Sequence, residues 1–147
     1  MGMKISTGLA KAMLDAGSLI DNLDGMKLKI YSGTEPATAD SSIGSAVLLC
    51  TLTDADGGDP LLFESDAVNN VLEKNAAQVW SGTNVASGTA SFCRLELTSD
   101  TGGSSSSEIR VQGDVGTAGR FLNLSSVVLT AAAVQVVDYL SITMPTQ

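Results

Sequence analysis

The chain has 147 residues, with 16 acidic against 8 basic side chains, no histidine and a net charge of −8. That length suits one domain, able to bury about 70% of its unfolded surface without staples. Its lysines and arginines are scattered singly, which excludes a basic nucleic-acid-binding face; the missing histidine excludes Ser-His and Cys-His catalytic pairs and any Cys/His zinc site. Hydrophobic residues make up 44% and aromatics only 4%, so the core must be built from aliphatic side chains.

Residues 6–22 carry the one persuasive helical signal. Ser6 or Thr7 can cap it, and Leu9, Ala12, Met13 and Ile20 fall roughly on one stripe. Gly17 interrupts the pattern, and Asn22-Leu23-Asp24-Gly25 stops it. The predicted organisation is therefore a helical arm over residues 1–25 and a single β domain over 26–147. The helix either packs on the chain's own sheet or docks on a neighbouring subunit. No secretory leader is expected, because the start lacks a continuous apolar stretch. No segment is expected to span a membrane, because Gln135 and Asp138 break the apolar C-terminal run.

Residues 26–32 alternate Met26, Leu28 and Ile30 against Lys27, Lys29 and Tyr31, which predicts a strand with one wet face. Residues 33–44 hold Pro36 and several turn formers and read as a loop. Residues 45–53 read as a buried strand and 54–60 as a turn. Short apolar pieces follow at 61–63, 68–72 and 78–80, with a turn expected at Ser81-Gly82.

The longest clean alternation is GTASFCRLELT, residues 88–98. Ser91, Cys93, Leu95 and Leu97 share one face; Ala90, Phe92, Arg94 and Glu96 share the other. It predicts a central strand with one face in the core and the other at least partly covered. A polar loop spans 100–107. Residues 108–115 form the next strand, where Gly113 interrupts the apolar face and marks a bulge or a close backbone approach. Strand pieces follow at 120–124 and 127–129. A last strand is expected over 134–144, with Val134, Val136, Asp138, Leu140, Ile142 and Met144 on one face and Asp138 at a sheet edge or paired. About eight short strands with one short N-terminal helix predict a mostly β fold: an antiparallel β-sandwich, jelly-roll-like, or a barrel.

No catalytic, cofactor-binding or metal-binding residue emerges. Asp54, Asp56 and Asp59 of DADGGDP, with Glu64, offer oxygen ligands for calcium, but the spacing fails the EF-hand pattern and a solvated turn is the simpler reading. Trp80 and Tyr139 could form a sugar-binding platform, although most of the six aromatics are needed for the core. Cys50 and Cys93 sit in apolar runs, as buried reduced thiols do, with a bridge between neighbouring strands as the alternative.

Five segments together carry a resemblance: TGLAKAMLDAGSLIDNLDG at 7–25, KIYSGTEPATAD at 29–40, VLEKNAAQVWSGTNVASGTASFCRLE at 71–96, IRVQGDVGTAGRFLNLSS at 109–126 and DYLSITMP at 138–145. Their order resembles a group of small virion structural proteins from tailed bacteriophages. The resemblance implies a non-enzymatic part of the virion, made in the host cytoplasm; from the residues themselves no cofactor, nucleic-acid or membrane partner is expected. It implies a capsid decoration (cement) protein that contacts the major capsid protein, copies of itself, or both, as a homo-oligomer in the particle. A neck, head–tail connector or tail component is the alternative, and a lectin-like binding module is the second. Leu9, Met13 and Ile20 of the helix, with Tyr31 and Glu35 at the following loop, are the expected subunit contacts.

Overall fold

The computed structural model of the chain describes residues 2–15 and 17–146. Ala16, inside the predicted helical stretch, lies outside the described residues. The fold is mostly β. In chain order come β1 (Met3–Ile5), α1 (Thr7–Asp15), α2 (Leu19–Leu23), β2 (Lys27–Ser32), β3 (Val47–Asp54), β4 (Val71–Glu73), β5 (Trp80–Thr83), β6 (Gly88–Glu96), β7 (Arg110–Gly116), β8 (Leu122–Asn123), β9 (Val128–Leu129), β10 (Val134–Val137) and β11 (Ser141–Thr143). Nine strands form one sheet, ordered β1-β7-β6-β2-β3-β5-β10, with β8 beside β7 and β9 beside β6. Among the described residues only the β7–β8 pair is parallel. β11 and β4 pair separately.

The alternation in β6 sets the layers. Cys93 and Leu95 stand beside Ile30 and Leu28 of β2, which in turn face Cys50 and Leu52 of β3. Val111 of β7 continues the row beyond Leu95. All are fully buried, and each large aliphatic side chain so placed contributes roughly 1.5–3 kcal/mol. Cys50 and Cys93 both pair with Ile30, from opposite sides. They therefore lie two strand spacings apart, about 9–10 Å, beyond the reach of a disulfide; both are free thiols.

The helices close this core. Ser6 caps α1, its Oγ accepting from the Leu9 N–H and from the Arg110 N–H while donating to the Glu108 carbonyl. Gly8 lets α1 lie flush on the chain at 107–108, where a Cβ would fall 2.4 Å from the Ser107 carbonyl oxygen. Ser18 and Asp21 form a capping box on α2. Leu9 and Leu23 are fully buried in the same core as Leu28 and Leu95.

Three local expectations are corrected. Ser81 and Gly82 are not a turn but the middle of β5. A Cβ on Gly82 would sit 2.1 Å from the Thr51 carbonyl oxygen, so the glycine marks a close approach of β3 and β5. The strand expected over 134–144 breaks into β10 and β11 at residues 138–140, and its phase is reversed in β10. Gln135 and Val137 point inward while Val134 and Val136 face out. Asp138 is exposed in that break. The expected wet face of β2 is covered: Tyr31 is buried and Lys27 and Lys29 are half-buried.

Candidate functional site

The second face of β6 and its neighbours carries polar and charged side chains under two loops. Arg94 faces Lys29 and Gln112, and Glu96 faces Lys27 and Arg110. Arg94, Glu96, Arg110 and Gln112 are all essentially buried. Long side chains from this face hold the backbone of the 33–46 loop. Gln112 Nε2 donates to the Pro36 carbonyl at 2.8 Å, Arg110 Nη1 to the Ala39 carbonyl at 3.1 Å and Arg94 Nη2 to the Ser41 carbonyl at 2.7 Å. Arg110 also forks onto Asp100, at 2.5 and 2.7 Å, and donates to the Gly103 carbonyl, so it ties down the 100–107 loop as well. Burial alone would raise the Asp100 carboxyl, but the Arg110 fork outweighs it and holds the group below the usual carboxylate range. Burial and the neighbouring Arg110 lower the Arg94 guanidinium. Lys29 reaches Glu96 at 2.8 Å, and Tyr31 stacks on Phe92 with centroids 5.0 Å apart while its hydroxyl donates to Glu96. Most of this cluster's donors go to the chain's own carbonyls, while Arg94 Nη1 and Glu96 Oε2 are buried without a hydrogen-bond partner among the described residues. The work of the cluster is to order two loops.

The expected subunit contacts are dispersed. Leu9 is fully buried under α1 and Tyr31 is buried in the polar face. Glu35 accepts from Lys4 at 2.7 Å and from Gln112 at 3.1 Å. Met13 and Ile20 are part-buried against the core and keep some surface. In the DADGGDP turn, Asp54 accepts from the Val79 N–H and Asp56 from the Thr83 hydroxyl. Among the described residues no three acidic or cysteine side chains are grouped to hold a metal. Trp80 is fully buried, donating its indole N–H to Gln78 and meeting Phe63 edge-on, so it forms no surface platform with Tyr139.

Two surface features stand out instead. The first is a charge-poor pole, bordered by Asp56, whose carboxylate accepts from the Thr83 hydroxyl opposite Val134. Residues 41–53, 75–93 and 121–137 contain no Asp, Glu, Lys or Arg. The strands they supply gather at one end of the large sheet: β3 beside β5, β5 beside β10, and β9 on the start of β6. Loop bonds join them, Val85 N–H to the Leu49 carbonyl and Asn84 N–H to the Ala133 carbonyl. Val47, Val85, Val128, Val134 and Val136 are each 43–67% exposed here. β10 (VQVV) ends the strand order, without a charge, proline or bulge to protect it. Elsewhere five of the eight cations, Lys4, Lys11, Lys29, Arg110 and Arg120, each pair with a carboxylate, so the acidic surplus faces solvent. The uncharged runs were readable in the sequence; their convergence depends on strand order, which the sequence does not display.

The second feature is a cavity of about 340 Å³ between the β1–β8 side of the large sheet and β11, lined by Met3, Arg120, Phe121, Asn123, Tyr139 and Ser141 among others. A more apolar groove of about 280 Å³ lies between α2 and the β11–β4 pair, against Ile20, Leu72 and Ile142. No protein-family model matches the chain, and neither the curated proteins nor the solved structures searched contain a match.

Proposed function

We propose that the chain is a non-enzymatic structural protein of a tailed-bacteriophage virion: a capsid decoration (cement) protein that binds the assembled head and stabilises it through protein–protein contacts. The observation that carries this reading is the charge-poor, valine-bearing pole. Clustered exposed valines are unfavourable in water and mark contact surfaces. An unprotected edge strand offers backbone donors and acceptors to a partner strand. In a chain with net charge −8, this pole is also where another acidic protein approaches with the least repulsion. The sequence resemblance supplies the kind of assembly. A ligand that binds only the assembled shell stabilises it by mass action, and symmetry repeats each modest contact many times. A neck, connector or tail position is the second reading, favoured by the same pole, since a ring also needs a surface repeated from copy to copy.

Copy number in purified virions, measured by quantitative mass spectrometry against the major capsid protein, tests the proposal. On the order of hundreds of copies supports decoration, and about a dozen supports the neck or connector reading. Absence from the particle overturns both. Binding of the purified chain to assembled heads, compared with a Val134→Lys/Val136→Lys variant, then tests the pole. The variant should fold and fail to bind.

A further inference from the structure

The 340 Å³ cavity is built rather than accidental. Two glycines of β7 make one wall possible. A Cβ on Gly113 would fall 2.1 Å from the Phe121 ring, and one on Gly116 would fall 2.5 Å from Cγ of Arg120. Between them Asp114 accepts from the Phe121 N–H at 2.9 Å and from Arg120 Nη1 at 3.0 Å. Asn123 fixes the same turn, accepting from the Arg120 N–H and donating to the Arg120 carbonyl. The backbone thus seats Arg120 and Phe121 side by side. The opposite wall comes from Tyr139 and β11.

The aromatic residues give an independent pointer. Tyr31, Phe63, Trp80 and Phe92 are buried, whereas Phe121 is only part-buried and Tyr139 is 59% exposed. The two aromatics left out of the buried set both line this cavity. Free hydrogen-bonding groups accompany them. Among the described residues, Arg120 Nε and Nη2 and the hydroxyls of Ser141 and Thr143 have no partner within the chain.

We propose that this cavity binds a neutral sugar, one pyranose ring lying against Tyr139 with its hydroxyls on Arg120, Asn123 and Ser141. Stacking needs an apolar C–H face, which a pyranose ring presents, and the polar rim needs several hydroxyls. An anion fits less well. Asp114 already neutralises Arg120, Glu73 holds the Tyr139 hydroxyl at 3.2 Å, and the chain as a whole is acidic. A purely apolar ligand would leave the guanidinium and the hydroxyls unpaired. The volume suits one ring or two rather than a long chain. This site is distinct from the valine-bearing pole and does not rest on the virion reading.

The test is an amide NMR titration of the full chain, labelled with ¹⁵N, against glucose, galactose, mannose and N-acetylglucosamine, with glucuronic acid and inorganic phosphate as anionic probes. At least one neutral sugar should shift residues 113–123 and 139–143 selectively, with an affinity in the millimolar range. Tyr139→Ala, at an exposed position, should keep the rest of the spectrum and bind about tenfold more weakly. Gly113→Ala, which drives a methyl into the Phe121 ring, should abolish the shifts; Gly103→Ala, a loop change away from the cavity, should leave them intact. The proposal is overturned if no neutral sugar shifts these residues. It is equally overturned if only the anions do, or if Tyr139→Ala binds as tightly as the parent chain.

Discussion

Asp100→Ala is the sharpest test of how the polar face holds the fold. The Arg110–Asp100 fork is bidentate, and both side chains are only 1% exposed. Removing the carboxylate strips two charge-assisted bonds from Arg110 and the acceptor of the Gly102 N–H. The guanidinium keeps the Ala39 and Gly103 carbonyls, which are dipoles and not a counter-charge. Breaking one partner out of a buried pair costs about 3–5 kcal/mol, a large share of the roughly 5–15 kcal/mol that a domain of this kind has in total. Replacing both partners, Asp100→Leu with Arg110→Met, removes the uncompensated charge and should cost less than Asp100→Ala alone, despite two substitutions. Urea unfolding of the parent and both variants, read as midpoint and slope, measures this. A loss below about 1 kcal/mol for Asp100→Ala would refute the reasoning, because the pair would then behave like an exposed ion pair.

Gly82→Ala should destabilise by more than Gly113→Ala. Its new methyl meets the Thr51 backbone carbonyl, which cannot swing away, whereas at 113 it meets a side-chain ring; thermal unfolding of the two variants compares them. Deleting residues 1–24 should unfold the chain, because Leu9 and Leu23 belong to the core and Ser6 bonds β7; loss of the cooperative transition in circular dichroism checks it. Stability should be flat from about pH 5 to pH 8, since there is no histidine to titrate. Asp114 carries burial that raises its carboxyl, but the Phe121 N–H and Arg120 outweigh this and hold it at about 2. A depressed carboxylate contributes its stability above the ordinary value and loses it as pH falls, so stability should drop between about pH 4 and pH 2. Burial pushes the Cys50 thiol from 9.0 up to about 11. A raised thiol is harmless below its ordinary value and costs stability as pH rises through that window, so a second drop should begin near pH 9. Both limbs are read from urea midpoints across pH.

Much of the fold was legible because period-two alternation is a direct consequence of strand geometry. Residues 88–98 announced a central strand, and β6 lies between β2 and β7 with both faces covered. The helical stretch with its Gly17 interruption resolves into α1 and α2. Failures came where a neighbour decides the outcome. Ser81-Gly82 has turn chemistry locally, yet the glycine is needed to let β3 come close. Val134–Val137 could face either way by its pattern, and pairing with β5 chose the side. Lys29 and Tyr31 look like solvent-facing residues, yet Lys29 reaches Glu96 and the Asp100 carbonyl and Tyr31 is buried against Phe92 and Glu96. Gly113 was legible as an interruption, either a bulge or a close backbone approach; that the Phe121 ring would sit against it was not.

The division of labour in the molecule follows from where its charges go. A buried ionic face is costly to build and adds little net stability over an apolar one. Here it hooks backbone carbonyls of two long loops at Pro36, Ala39, Ser41 and Gly103. An apolar face would cover those loops without fixing their path. Because arginine and glutamine donors are directional, they define one loop arrangement. The face buries Arg94 and Arg110 together with Glu96 and Asp100, so the acidic surplus of the composition stays at the surface, interrupted by one charge-poor, valine-bearing end. A chain that repels its own copies over most of its surface and not at one pole is restricted in how it can associate. The structural role proposed for the chain would use that restriction, and charging Val134 and Val136 tests it without disturbing the buried network.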